Sequence, residues 1–118
     1  MDSRRQKKIA KLIQEEMGVF LQKEGANYYG NKFVTVTNAD VSPDLGTCKI
    51  FVSVFDKNEG EKVVDMLNSN IRDIRRRFGS IMRNSLRIIP DMIFYLDDTL
   101  ETVFRLEELF KKNQDENK

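Results

Sequence analysis

The stretch 47–55, TCKIFVSVF, constrains the fold more than any other part of the chain. Strand alternation puts Cys48, Ile50, Val52 and Val54 on one side and Phe51, Ser53 and Phe55 on the other. A strand with one wholly apolar face needs a second layer to cover it. The flanking segments supply that layer, because their apolar residues repeat at helical spacing. In 4–22 the repeat is Ile9, Leu12, Ile13, Met17, Phe20 and Leu21, with Ser3 as N-cap. From 61 onward it runs through Val63, Val64, Leu67, Ile71, Ile74 and Phe78 and continues as Ile81, Met82 and Leu86. The expectation is an α+β fold with helices on one face of a small sheet.

The remaining segments fill in the order. Residues 23–32 read as a loop relaxed by Gly25 and Gly30, with Tyr28 and Tyr29 packing on the core or exposed for stacking. Residues 33–37 are rich in β-branched types and predict a strand antiparallel to 47–55. The 38–46 connection between them holds a Ser42-Pro43-Asp44 turn signal. Residues 56–61 read as a charged turn. The pattern over 61–85 is too long for one unbroken helix in 118 residues, and 68–70 or 79–80 are the expected breaks. A third strand covers 88–96, with Pro90 at its start or on an edge. Asp97-Asp98-Thr99 ends that strand and caps a last helix, 100–112, that buries Leu100, Val103, Phe104, Leu106 and Phe110. The reading is one domain over 1–112 and a frayed tail over 113–118.

Several function classes find no support. A single cysteine, Cys48, forms no internal disulfide, and its place on the inward face makes it a small buried group. Histidine is absent, so Ser53 and Ser85 have no base to activate them. There is no Walker loop, dinucleotide-binding glycine motif or nucleophile elbow. Asp40, Asp91, Asp97 and Asp98 are candidate ligands for a divalent metal, but adjacent acids on a strand point to opposite faces. The chain reads as no enzyme, with no cofactor and no metal. No apolar run approaches the roughly 18–20 residues of a membrane span. Lys11, Gln14, Glu15 and Glu16 interrupt the only candidate leader segment. The expected location is the cytoplasm, and the expected state a monomer.

Net charge is +1, which hides an uneven layout. The first twelve residues hold Arg4, Arg5, Lys7, Lys8 and Lys11 against one acid. Cations at a helix start oppose the helix dipole, so helix stability does not explain them. Residues 71–90 hold six arginines, Arg72, Arg75, Arg76, Arg77, Arg83 and Arg87, against Asp73 alone. Arg72, Arg76, Arg83 and Arg87 fall near one stripe, and Arg75 and Arg77 broaden it. With so few local acids, salt bridges along the helix are not expected to account for the cluster. Guanidinium groups bind phosphate in a bidentate manner and stack on bases, so the stripe points to nucleic acid, with an acidic protein partner or a solvated face as alternatives. Residues 91–118 hold eight acids and four bases, and this end is expected to face away from RNA.

The chain resembles the ribosome-binding factor A family of bacterial 30S assembly factors. The segments SRRQKKIAKLIQEEMGVFLQKE, VTVTNADVSPDLGTCKIFVSVF and LRIIPDMIFYLDDTLE resemble that family in order. Val41-Ser42-Pro43-Asp44-Leu45, Arg87, Pro90, Phe94 and Asp97 match family positions. The resemblance covers about 3–112. It implies a type II KH-like fold of order α-β-β-α-α-β, without a GxxG loop and with a short C-terminal helix. Many members have an Ala-x-Gly kink where this chain has Asn70-Ile71-Arg72. It also implies binding to the 30S subunit and 16S ribosomal RNA, non-enzymatic support of late maturation including 5′-end processing, and a role in growth in the cold. Ribosomal proteins and an assembly GTPase are further partners on this reading. The rivals are a general single-stranded RNA chaperone, a protein adaptor without RNA contact, and a small metal enzyme on Asp91, Asp97 and Asp98.

Overall fold

The structure, a computed structural model, describes residues 3–97. Its first element, α1 (Arg4–Glu24), starts at a full capping box. The Ser3 hydroxyl accepts from Gln6 N–H at 3.1 Å, and Gln6 Oε1 accepts from Ser3 N–H at 3.2 Å. The same Gln6 is buried because its amide also donates to the Val41 carbonyl at 2.6 Å.

The segment expected to be a loop contains one helical turn, α2 (Ala26–Tyr29). Its position follows from Gly25, where an added Cβ would lie 2.0 Å from the Tyr29 hydroxyl. With no side chain there, Tyr29 folds back and donates to the Leu21 carbonyl at 3.2 Å. Gly30 then ends the turn at φ 76°, a conformation open to glycine. Tyr29 is buried and Tyr28 is half-buried against Phe20, so packing on the core, the first of the two roles considered, holds for both.

The sheet has three strands in the order β1-β2-β3: β1 (Val34–Val41), β2 (Thr47–Val54) and β3 (Asp91–Leu96). β1 and β2 are antiparallel, and β2 and β3 are parallel. β1 is longer than the 33–37 expected. Asn38 and Asp40, poor strand formers, are held there by pairing with Phe51 and Lys49. The bulge between Val36 and Asn38 absorbs Thr37. The true connection is therefore 42–46, where Leu45 N–H bonds the Ser42 carbonyl at 2.9 Å. β3 is shorter than 88–96, because Ile88, Ile89 and Pro90 precede it as irregular chain.

After β2, a 3-10 turn (Lys57–Glu59) leads into α3 (Gly60–Ser69), so helix replaces the end of the expected charged turn. α4 (Ile71–Met82) follows after a break at Asn70. The Asn70 amide donates to the Met66 carbonyl at 2.7 Å, a local bond that competes with helix continuation. Gly79 and Ser80, the other break considered, lie within α4. Asn68 fixes this junction to the sheet. Its amide donates to the Phe94 carbonyl at 3.0 Å and its Oδ1 accepts from Phe94 N–H at 2.8 Å.

Cys48, Ile50, Val52 and Val54 point inward with Met92 and Phe94, as the alternation requires. They meet Ile13, Met17 and Phe20 of α1, Val63 and Leu67 of α3, and Ile74, Phe78 and Met82 of α4. Phe78 packs edge-on to Phe20 with ring centroids 6.1 Å apart. Burial pushes the Cys48 thiol up to about 12, so it is an inert core group. Ile81, assigned inward by periodicity, is instead 54% exposed. The expected last helix, 100–112, with its cap and the 113–118 tail, lies outside the described residues.

Candidate nucleic-acid interface

The α4 sequence IRDIRRRFGSIM sends Ile74, Phe78 and Met82 into the core. That pattern forces the intervening arginines outward, and all six cluster arginines are exposed. Arg72, Arg75, Arg76 and Arg83 line one shallow groove with Gly79, Ser80, Ile88 and Ile89. Gly79 keeps this groove low, with Ile89 3.5 Å from where its Cβ would stand. Arg87 is exposed in the turn that follows, and Arg77 leaves the opposite flank of α4 toward α1.

The arginines are not equivalent. Arg75 Nη2 donates to the Ile89 carbonyl at 2.7 Å and its Nε to the Pro90 carbonyl at 3.3 Å, with Asp91 Oδ1 3.6 Å away. It ties α4 to the chain entering β3. Arg76 donates to Asp73 Oδ1 at 2.6 Å. Arg77 reaches both Asp73 Oδ2, at 3.2 Å, and Glu24 Oε2, at 3.1 Å. Arg72, Arg83 and Arg87 have no ion pair or hydrogen bond among the described residues.

This corrects the expectation that salt bridges do not explain the cluster. Asp73 is a single acid, but at i−3 and i−4 it serves Arg76 and Arg77 together. Arg76 and then Tyr28, which donates to Asp73 Oδ2 at 2.7 Å, hold the Asp73 carboxyl below the usual carboxylate range. Burial, then the bond to Asp73, pushes the Tyr28 hydroxyl up to about 12. Asp73 is the organising residue that counting charges passes over. Its spacing to Arg76 and Arg77 was the available signal. Ile88, 73% exposed beside Arg83, was also missed as a surface group because the strand assignment absorbed it.

The basic residues of α1 form a separate group. Arg4, Arg5, Lys7, Lys8 and Lys11 are all exposed on the first three turns. Lys7 and Lys11 line a groove with Gln6, Gln14, Asn38 and Asp40, where α1 runs along β1. That groove shares no residue with the arginine groove.

Two of the aspartates considered as metal ligands have other partners. Asp97 accepts from the Thr37 hydroxyl, Asp91 faces Arg75, and Asp98 lies outside the described residues. No group of three or more His, Cys, Asp or Glu among the described residues is placed to hold a metal ion. No helix among them is long and apolar enough to cross a membrane.

Comparison with known proteins gives this arrangement a lineage. The sequence profile of ribosome-binding factor A matches residues 5–110. The chain belongs to the ribosome-binding factor A family. Ribosome-binding factor A from Cytophaga hutchinsonii is 32% identical over 122 aligned residues, which cover 99% of this chain and 92% of that protein. The Chlorobium phaeovibrioides protein is 34% identical, over 98% of this chain and 96% of its own. The fold is similar to the crystal structure of ribosome-binding factor A from Thermus thermophilus, with a TM-score of 0.62 at 15% identity. That alignment covers 77% of this chain and 94% of that one. It is also similar to the Thermus thermophilus coordinates fitted into a cryo-electron-microscopy map of a complex with the 30S subunit. There the TM-score is 0.56 at 20% identity, over 73% of this chain and 92% of that one.

Proposed function

We propose that this protein binds the small ribosomal subunit during its assembly, through the outer face of α4 and the turn that follows. The observation that carries this reading is the arginine groove. Four guanidinium groups line one shallow surface beside exposed Ile88, and two of them, on Arg72 and Arg83, have no acceptor among the described residues. Such groups are available to phosphate oxygens, whose neutralisation gives affinity with little sequence demand. The shape of the folded RNA then supplies selectivity. Family membership supports the reading. So does the placement of the Thermus thermophilus relative in a 30S complex.

On this reading the ligand is 16S ribosomal RNA within an immature particle, and the protein favours its late maturation, including processing of the 5′ end. The domain spans 1–112 with 113–118 as a tail. It is of type II KH-like order and uses no GxxG clamp; the α3–α4 junction is built on Asn68 and Asn70 instead. The protein acts as a cytoplasmic monomer, matters for growth in the cold, and meets ribosomal proteins and an assembly GTPase on the particle. Arg4, Arg5, Lys7, Lys8 and Lys11 form a second, separate contact.

The test is co-sedimentation with immature 30S, mature 30S, 50S and naked RNA at low and moderate salt. Preference for 30S particles is expected. Replacing Arg72, Arg76, Arg83 and Arg87 together by Gln should weaken that binding at least tenfold while the fold survives. Equal binding to every RNA would replace this reading with a general chaperone. Binding insensitive to salt and nuclease would replace it with a protein adaptor.

A further inference from the structure

The arginine groove is charged at its ends and apolar between them. Arg72 stands in the first turn of α4 and Arg83 at its C-terminal cap, about 16 Å apart along the axis at 1.5 Å per residue. These are the two guanidinium groups of the groove that have no acceptor among the described residues. Gly79 falls between them on the same stripe, and no side chain rises from it. The gap is floored by Ile89, 3.5 Å from where a Gly79 Cβ would stand, and flanked by Ile88, which is 73% exposed. The short segment that carries both isoleucines is anchored on either side by buried Leu86 and buried Pro90. The Ser80 hydroxyl, also in the groove, donates to the Arg76 carbonyl at 3.2 Å, which leaves its oxygen as an acceptor.

We propose that this groove seats one unpaired nucleotide of RNA, with the base against Ile88 and Ile89 over Gly79 and the flanking phosphates on Arg72 and Arg83. This rests on the RNA contact proposed for α4, and it names the element recognised: a bulged or single-stranded position rather than duplex. In a paired helix the bases are stacked inward, and a protein meets mainly phosphates and ribose hydroxyls. Such a surface would satisfy Arg72 and Arg83, but it would press charged oxygens against Ile88 and pay for their desolvation. An unpaired nucleotide brings the flat face of a base beside its phosphates. The groove offers the matching alternation, from Arg72 through Gly79 and Ile88 to Arg83. A nucleic-acid strand carries an anion and an apolar face in every residue, whereas an acidic peptide has to alternate the two by sequence. The planar forks of Arg72 and Arg83 suit phosphate oxygens, and the Ser80 oxygen accepts from a base amino group.

Fluorescence anisotropy on the full-length protein tests this with two RNA hairpins that differ at one position. One carries a single bulged adenosine, and the other an abasic residue in its place. Both have the same phosphates, so the difference reads the base alone. The adenosine hairpin is expected to bind at least fivefold more tightly at equal salt. Ile88→Ser, at an exposed position outside the core, should remove that preference and leave the slope of log affinity against log salt unchanged. Arg72→Gln/Arg83→Gln should instead weaken both hairpins alike and flatten that slope.

Equal binding of the two hairpins by the original protein would overturn the proposal. The phosphate contact would still stand if the arginine variant lost affinity for both. An Ile88→Ser protein that keeps the full preference for adenosine would overturn it as well, by placing the base elsewhere. An acidic peptide with one leucine, bound more tightly than either hairpin, would overturn it in favour of a protein occupant.

Discussion

Arg75, Arg76 and Arg77 stand near Arg72, Arg83 and Arg87 in sequence, carry the same charge and are equally classed as exposed, yet the two trios do different work. The first three have acceptors within the protein: two backbone carbonyls, Asp73 and Glu24. The second three have none among the described residues. A guanidinium already bonded to a carboxylate exchanges one charge-assisted bond for another when phosphate arrives, so its net gain is small. An unpaired guanidinium exchanges only water. Six arginines therefore amount to about three for affinity, while the other three hold α4 against its neighbours.

The sharpest way to break this comparison is to exchange the trios. Replacing Arg72, Arg83 and Arg87 by Gln should weaken 30S binding at least tenfold, or about 1.4 kcal/mol and more. The slope of log affinity against log salt should shrink by roughly 0.7–0.9 for each phosphate no longer neutralised. Thermal unfolding should be unaffected, and a clear drop in Tm would show that these arginines also hold the fold. Arg75→Gln should do the reverse. Losing bonds to Ile89 and Pro90 costs about 1 kcal/mol, which lowers Tm by about 4 °C, with less than a threefold change in 30S affinity.

The smallest effect concerns Asp73. Its carboxyl sits below the usual range because Arg76, and then Tyr28, stabilise the charged form. A lowered folded-state value gives stability that is present above the ordinary carboxylate pKa, near pH 4, and lost as pH falls through the folded value. Asp73→Asn removes this dependence. In acid titrations followed by circular dichroism, the variant should lose stability less steeply below about pH 4 than the original protein. Parallel curves would mean that the Asp73 hub contributes nothing.

Legibility in the sequence followed the range of the interactions. The inward face of β2, the Ser3 cap and the helix break near 68–70 depend on close neighbours, and all were readable. The extension of β1 through Asn38 and Asp40 depends on partners in β2, and local propensity argues against it. The helical turn at 26–29 depends on Tyr29 closing over Gly25, an approach that composition does not announce. In the arginine cluster the position and exposure were legible, but its division was not. Arg77 finds Glu24 from 53 positions away, and Arg75 finds Pro90 from 15. No charge count contains those pairings.

The carboxamides that reach the sheet have a consequence of another kind. Asn68 satisfies both backbone groups of Phe94 on the border of β3, and Gln6 and Gln14 cap the Val41 and Thr37 carbonyls of β1. A three-stranded sheet with two bare borders is a template on which any extended chain can crystallise as a fourth strand. Here the side chains of three amides occupy the positions such a strand would need. Both borders are therefore interrupted by bonded groups, and a stray segment meets occupied positions at Phe94, Val41 and Thr37 rather than an unbroken seed for cross-β growth.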